Sequence, residues 1–174
     1  MRRGLDFLYK VSGGIAALAI LAICLLVTAQ VSLNILARLG GPSLSYTIPS
    51  YADFAGYFLA TASFMALANT LRAGVHIRVN LVLQHLDTGS RWALELATLA
   101  LAAVLVSYAT WYAAALMAES WRYGDKSTGI IAIPLWIPQV AMVSGLGLLV
   151  VALVDTLVES LRRTEPVLTD TGSE

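Results

Sequence analysis

Charge is what this sequence has least of. Of its 174 residues only 13% are Asp, Glu, Lys or Arg, while 58% are hydrophobic. Mean hydropathy is +0.75. Soluble domains carry about 25% charged and about 45–50% apolar residues. A soluble monomer of this length would lack the charges to cover its surface. Net charge is zero, with 11 basic residues against 11 acidic ones, so no basic field draws nucleic acid. The lone cysteine, Cys24, excludes an intramolecular disulfide framework and a multi-cysteine metal site. A membrane thiol oxidase, which needs paired cysteines, is excluded with them. What remains is a small integral membrane protein.

The few charges punctuate the chain. None lies between Lys10 and Arg38, nor in Phe54–Leu71, Leu96–Ala118 or Ser127–Val154. A spanning helix needs ~20 mainly apolar residues to cross ~30 Å of hydrocarbon. The fold class is therefore an all-α integral membrane protein of four transmembrane helices, at about 11–36, 52–73, 91–118 and 136–160. They are joined by connections at 37–51, 74–90 and 119–135. Residues 1–163 form one membrane domain, and 164–174 are a tail expected to be disordered. The first run starts on Arg2, Arg3 and Lys10, but it is far longer than a signal-peptide core of about 7–15 residues. Ile23 is too bulky for the residue before a lipoprotein cysteine at Cys24. An uncleaved helix is expected.

Orientation follows from the cations. Eight of the 11 lysines and arginines lie at the N-terminus, around the 74–90 connection or after the last span. Only Arg38, Arg122 and Lys126 lie on the other side. The positive-inside rule puts both termini in the cytoplasm and the 37–51 and 119–135 connections outside.

Lipid is as apolar as leucine, so close approach at small residues and a few polar contacts must hold the helices together. Ala52, Gly56 and Ala60 form one small stripe on the second span, and Ala62 and Ala66 a second. Ala109 and Ala113 mark the third span, Ala141 and Gly145 the fourth. Internal packing is the ordinary reading of each stripe; a seam for a partner protein is the other. Trp92, Trp121 and Trp136 sit near span ends as an interfacial belt. Trp111 lies deeper and is expected to pack.

An ionisable residue inside a span is a functional-site hypothesis by default, and the four interiors carry none. Gln30, Asn34 and Asn69 are their polar exceptions, expected to snorkel or to hydrogen-bond between helices. Asp53, Glu95, Glu119, Asp155 and Glu159 fall at span ends, where solvation or pairing with nearby arginines outweighs proton carriage. His76 and His85 share the 74–90 connection and cannot face each other across a bundle as haem ligands do. Two histidines fall short of the three or four convergent ligands of a zinc site. No nucleophile–base pair or phosphate-binding glycine loop stands out. No enzyme activity, cofactor or metal is expected. The chain is built to pack, which suggests a subunit of a larger membrane assembly.

Two connections carry specific sequence: Gly74-Val75-His76-Ile77-Arg78-Val79, and Gly124-Asp125-Lys126-Ser127-Thr128-Gly129 followed by Ile133-Pro134-Leu135-Trp136-Ile137-Pro138. Proline is cheap at a helix start, so the fourth helix should begin near Pro134 or Pro138. At these residues the chain resembles the small membrane (Q) subunit of a tripartite ATP-independent periplasmic (TRAP) transporter, over roughly residues 5–160. The family often has Asp where Asn80 stands, so no role needing a negative charge is expected there.

The resemblance implies a non-catalytic scaffold in a bacterial or archaeal cytoplasmic membrane. Its partners would be a large elevator-type subunit driven by sodium, a periplasmic solute-binding protein that delivers an organic acid or related solute, and membrane lipids. It also implies that Arg122, Asp125, Lys126 and Ser127 lie near the docking face for the binding protein; the equal alternative is that Gly124–Gly129 only shapes a turn and packs on the large subunit. His76, Arg78, Arg72, Arg91, Gly56, Ala60, Pro134 and Trp136 are candidate contacts to the large subunit or to lipid, the arginines suiting anionic headgroups. The competing reading is an autonomous carrier or channel formed by self-association, which calls for a polar stripe through a span.

Overall fold

A computed structural model describes residues 2–40, 46–73 and 88–163. Helix α1 covers Arg2–Gly40, α2 Tyr51–Arg72, α3 Thr88–Tyr123 and α4 Trp136–Arg163. Each is long and apolar enough to cross a membrane. All four expected spans lie in these helices, except that Ala73 falls just past the end of α2. At 39 residues and ~1.5 Å per residue, α1 is about 58 Å long. It therefore outruns the ~30 Å hydrocarbon layer, as does α3. His76, Arg78, Asn80 and His85 lie outside the described residues, as does the 164–174 tail.

The packing order is α1–α2–α4–α3, with α2 and α4 inside and α1 and α3 on the flanks. Tyr9 of α1, Ala68 and Leu71 of α2, Leu99 of α3, and Ala152 and Leu153 of α4 meet in one buried cluster. This is the Arg72 end of the bundle. Because the start of α1 and the end of α4 both reach it, the first and last helices have their outer termini on the same side. The opposite, Trp136 end carries the 46–50 segment and the 124–135 connection.

Gly13 and Ala22 of α1 are half-buried, and beside them its other buried or half-buried residues are Leu5, Tyr9, Ser12, Ala16, Ala19, Ile23, Leu26, Gln30, Leu33 and Ala37. These ten recur in alternating steps of four and three. That 3.5-residue period is the narrow seam of a coiled-coil-like pair, not the broader face of a core helix. The rest of the α1 surface is mostly exposed and mainly apolar, with Phe7, Leu18, Leu25 and Ile35 all more than half exposed.

Small residues set the closest approaches, though not all those the stripes suggest. A Cβ at Gly13 would lie 2.8 Å from Nδ2 of Asn69, where α1 crosses α2. A Cβ at the buried Gly145 would lie 2.5 Å from the Phe64 carbonyl carbon and oxygen. There α4 rests on the α2 backbone. Ala62 and Ala113 are buried too. Ala52 and Gly56 are exposed, and a Cβ at Gly56 would meet nothing within 4 Å. The internal-packing reading of the Ala52–Gly56–Ala60 stripe is thus corrected: α2 turns Ala52 and Gly56 outward. Trp111 is corrected likewise. It lies 75% exposed on the outer face of α3, away from the α4 contact.

Candidate functional site

Polar chemistry gathers at the two ends of the bundle. At one end Arg72, in the last turn of α2, reaches across to α4. Its Nη1 lies 3.4 Å from Oδ2 of Asp155 and 3.3 Å from Oε2 of Glu159. The same nitrogen donates to the Thr156 hydroxyl at 3.4 Å. Residues 155 and 156 both neighbour 159 on one side of α4, because steps of four and three return to nearly the same side of a helix. Thr156 is fully buried and Glu159 is 7% exposed. Span-end carboxylates paired with an arginine are as the sequence led one to expect. The sequence did not disclose which arginine, nor that Thr156 lies between the carboxylates. Arg72 is committed inside the chain, with a side chain 21% exposed.

Trp92 closes the same end. Its indole N–H donates to the Ser160 carbonyl at 3.2 Å, in the last turn of α4, where the helix ladder runs out. Trp92 thus ties α3 to α4 besides marking an interface depth. The Tyr9 hydroxyl and the Nε of Arg91 are buried and have no hydrogen-bond partner among the described residues.

At the Trp136 end, α3 stops on Gly124, whose φ of 69° lies in the left-handed region. The Asp125 N–H bonds back to the Ser120 carbonyl at 3.1 Å. This is the six-to-one bond of a Schellman ending, and it needs a residue like glycine at the turn. The chain then folds into a short hairpin. Ser127 N–H donates to Ile133 O at 2.8 Å, Leu135 N–H donates to Asp125 O at 2.9 Å, and Lys126 faces Pro134 in an antiparallel bridge. Helix α4 starts at Trp136, between the two prolines. Pro138 falls in its first turn, where a missing N–H costs no intrahelical bond.

The hairpin docks on the start of α2. Ser50 precedes α2 with φ 56°, left-handed, and its hydroxyl makes no cap bond. Instead it accepts the Ile131 N–H at 2.9 Å. Gly129 lies directly against the Asp53 and Ser50 side chains, which a Cβ there would have to displace. Farther along, the Gln30 side chain accepts the Ile48 N–H at 2.9 Å and donates to Asn34 at 3.0 Å. Gln139 donates to the Ser120 hydroxyl at 3.1 Å. Gln30, buried within α1, therefore serves a connection rather than a solute path. Asn69 packs against Gly13.

The candidate docking residues separate on inspection. Asp125 and Lys126 are exposed on the hairpin. The Ser127 hydroxyl is turned inward, accepting from Ile133 N–H at 3.0 Å and donating to Ile131 O at 3.3 Å. Arg122 sits apart, on the last turn of α3. Trp136 packs edge-on against Trp121, with ring centroids 4.6 Å apart. Sequence reasoning missed the Ser50–Ile131 and Gly129–Asp53 contacts. The one signal for them was a serine before a helix start, which reads as a cap.

Among the described residues no group of three or more His, Cys, Asp or Glu could hold a metal ion. Neither the curated proteins nor the solved structures yield a match to this chain. Residues 23–163 match the profile of the DctQ component of tripartite ATP-independent periplasmic transporters. That stretch takes in most of the four helices, the Arg72 cluster and the hairpin, and the chain belongs to this family of transporter components.

Proposed function

We propose that the chain is a non-catalytic scaffold subunit of a sodium-driven TRAP transporter. It holds and widens the static part of a large elevator-type subunit, which carries an organic acid or related solute delivered by a periplasmic binding protein. It lies in the cytoplasmic membrane with the Arg72 end inside and the hairpin outside, as the distribution of cations favours. Membership of the DctQ family carries this reading. The polar chemistry described above supports it. The polar side chains at both ends are spent on holding helices and connections together. The exposed surface of α1 and α3 is apolar, with Leu101, Val104, Leu105 and Trp111 each at least 59% exposed on α3. Such a surface suits lipid and a membrane partner, not a solute.

Partner contacts follow from what is left outward. Gly56 and Ala60 of α2 offer a close approach to a helix of the large subunit. Asp125 and Lys126 present opposite charges on a hairpin braced by Ser50, Asp53 and Ser127. A braced polar loop suits recognition of the binding protein. Pro134 shapes that hairpin. His76, Arg78 and Arg91 would contact the large subunit or anionic headgroups.

The test is sodium-driven uptake into proteoliposomes with the binding protein and its solute outside. Liposomes would contain this chain, the large subunit or both. Uptake only with both is the expected result. Uptake by this chain alone would place the path within it and support a self-associating carrier. With both subunits present, changing Asp125 and Lys126 to Ala together should weaken binding-protein docking. Unchanged docking would remove the hairpin from recognition.

A further inference from the structure

A groove of about 710 Å³ opens between α3 and α4 at the Trp136 end, lined by Met117, Ala118, Trp121, Arg122, Trp136 and Val140. That volume is within the ~300–1,000 Å³ of clefts that hold small ligands. The edge-on contact of Trp121 with Trp136 fixes one wall. Arg122 is the one charged residue of the lining. It is exposed and forms no ion pair among the described residues. Two carboxylates lie near it in sequence, Glu119 one turn back along α3 and Asp125 beyond the Gly124 turn. Neither lines the groove.

The chemistry of the groove is ordered by depth. Indoles at the end of an apolar helix mark the boundary between hydrocarbon and headgroups. Met117, one turn deeper on α3, and Val140, one turn deeper on α4, lie toward the hydrocarbon. The Arg122 guanidinium lies at headgroup level. Apolar below, aromatic at the boundary and cationic above complements in order the acyl chains, glycerol esters and phosphate of a phospholipid.

We propose that this groove binds one anionic phospholipid, with its phosphate on Arg122 and an acyl chain along Met117, Ala118 and Val140. Charge complementarity selects the occupant. A guanidinium pairs with phosphate through parallel N–H donors. A headgroup carrying its own ammonium, as in phosphatidylcholine, offsets the phosphate charge and gains less from Arg122. Inorganic phosphate would forgo the apolar wall. The Schellman turn at Gly124 holds the last turn of α3 in place, so the guanidinium is presented by a rigid element.

The experiment is native mass spectrometry of the full chain released from detergent micelles. Phosphatidylglycerol, phosphatidylcholine with the same acyl chains, and inorganic phosphate are titrated in separate arms. The expected result is one phosphatidylglycerol retained per chain at a concentration ~10-fold below that needed for phosphatidylcholine, and no retained phosphate. Arg122→Gln should abolish the difference between the lipids. Val140→Trp, which obstructs the acyl-chain path and leaves Arg122 in place, should abolish retention. Helix content by circular dichroism confirms that both variants fold. Equal retention of the two lipids by the parent chain, or unchanged preference in Arg122→Gln, overturns the proposal. A photoreactive benzoylphenylalanine at Val140 in intact membranes tests the competing occupant. A phospholipid-sized adduct supports the lipid site. A protein-sized adduct makes the groove a seam between proteins and overturns it.

Discussion

Arg72 shows how one residue can be expensive to remove at a membrane boundary. It faces two carboxylates of which one, Glu159, is nearly buried. Removing the cation takes its charge away from both, and breaking a buried pair from one side costs about 3–5 kcal/mol. Removing the carboxylates is cheaper, because an arginine stem is long enough to carry its charge to the interface. Arg72→Gln should therefore lower the unfolding midpoint in detergent by more than the double change Asp155→Asn, Glu159→Gln. The reverse order would mean that the carboxylates, not the arginine, organise the site. Ser50 gives a second contrast. Its left-handed backbone costs a non-glycine residue roughly 1–2 kcal/mol, and its hydroxyl bond to Ile131 returns about 1 kcal/mol. Ser50→Gly loses the bond but relieves the strain and should be close to neutral. Ser50→Ala loses the bond and keeps the strain, so it should cost about 1 kcal/mol. Thermal unfolding of the two variants decides the matter.

Elements differ in how they use their small residues. Gly145 lets α4 rest on the backbone of α2, so even one added methyl group has to push the helices apart. Overpacking of this kind costs about 1–3 kcal/mol. Gly56 faces open space on the same α2. Gly145→Ala should destabilise the isolated chain, while Gly56→Leu should leave its unfolding unchanged and weaken co-purification with the large subunit. Retained co-purification would move the partner seam elsewhere. Helix α1 is held along one narrow seam, so most of its circumference belongs to whatever surrounds the protein.

At the scale of the whole molecule, the bundle is an open layer with two inner and two flanking helices. Its flanks are mainly apolar, and its charged groups are confined to the ends. The lipid bilayer supplies the environment that such a surface needs. The hairpin, with Asp125 and Lys126 exposed at its base, should face the periplasm. A single cysteine at Lys126, in a chain whose Cys24 is changed to Ser, should react with a membrane-impermeant maleimide added to intact cells after the outer membrane is opened. Reaction only after the inner membrane is broken would invert the topology.

The sequence by itself determined the class, the number of spans and the family. Those depend on local properties: uninterrupted apolar length, the position of charges and two short connection motifs. The heptad seam of α1 was present in the residue order, but a helix apolar all round does not declare which stripe it buries, because lipid accepts every face equally. Whether a small residue meets a neighbour is likewise a property of two helices. Ala52, Gly56 and Ala60 made the most regular stripe and yet turned largely outward, whereas Gly145 took the closest approach. Which arginine met Asp155 and Glu159 depended on the α2–α4 crossing that brings residues 72, 155 and 159 together. The bracing of the hairpin by Ser50 depended on a contact between residues 50 and 131. Only the tertiary structure decided these, since each is a distance between residues far apart in the chain.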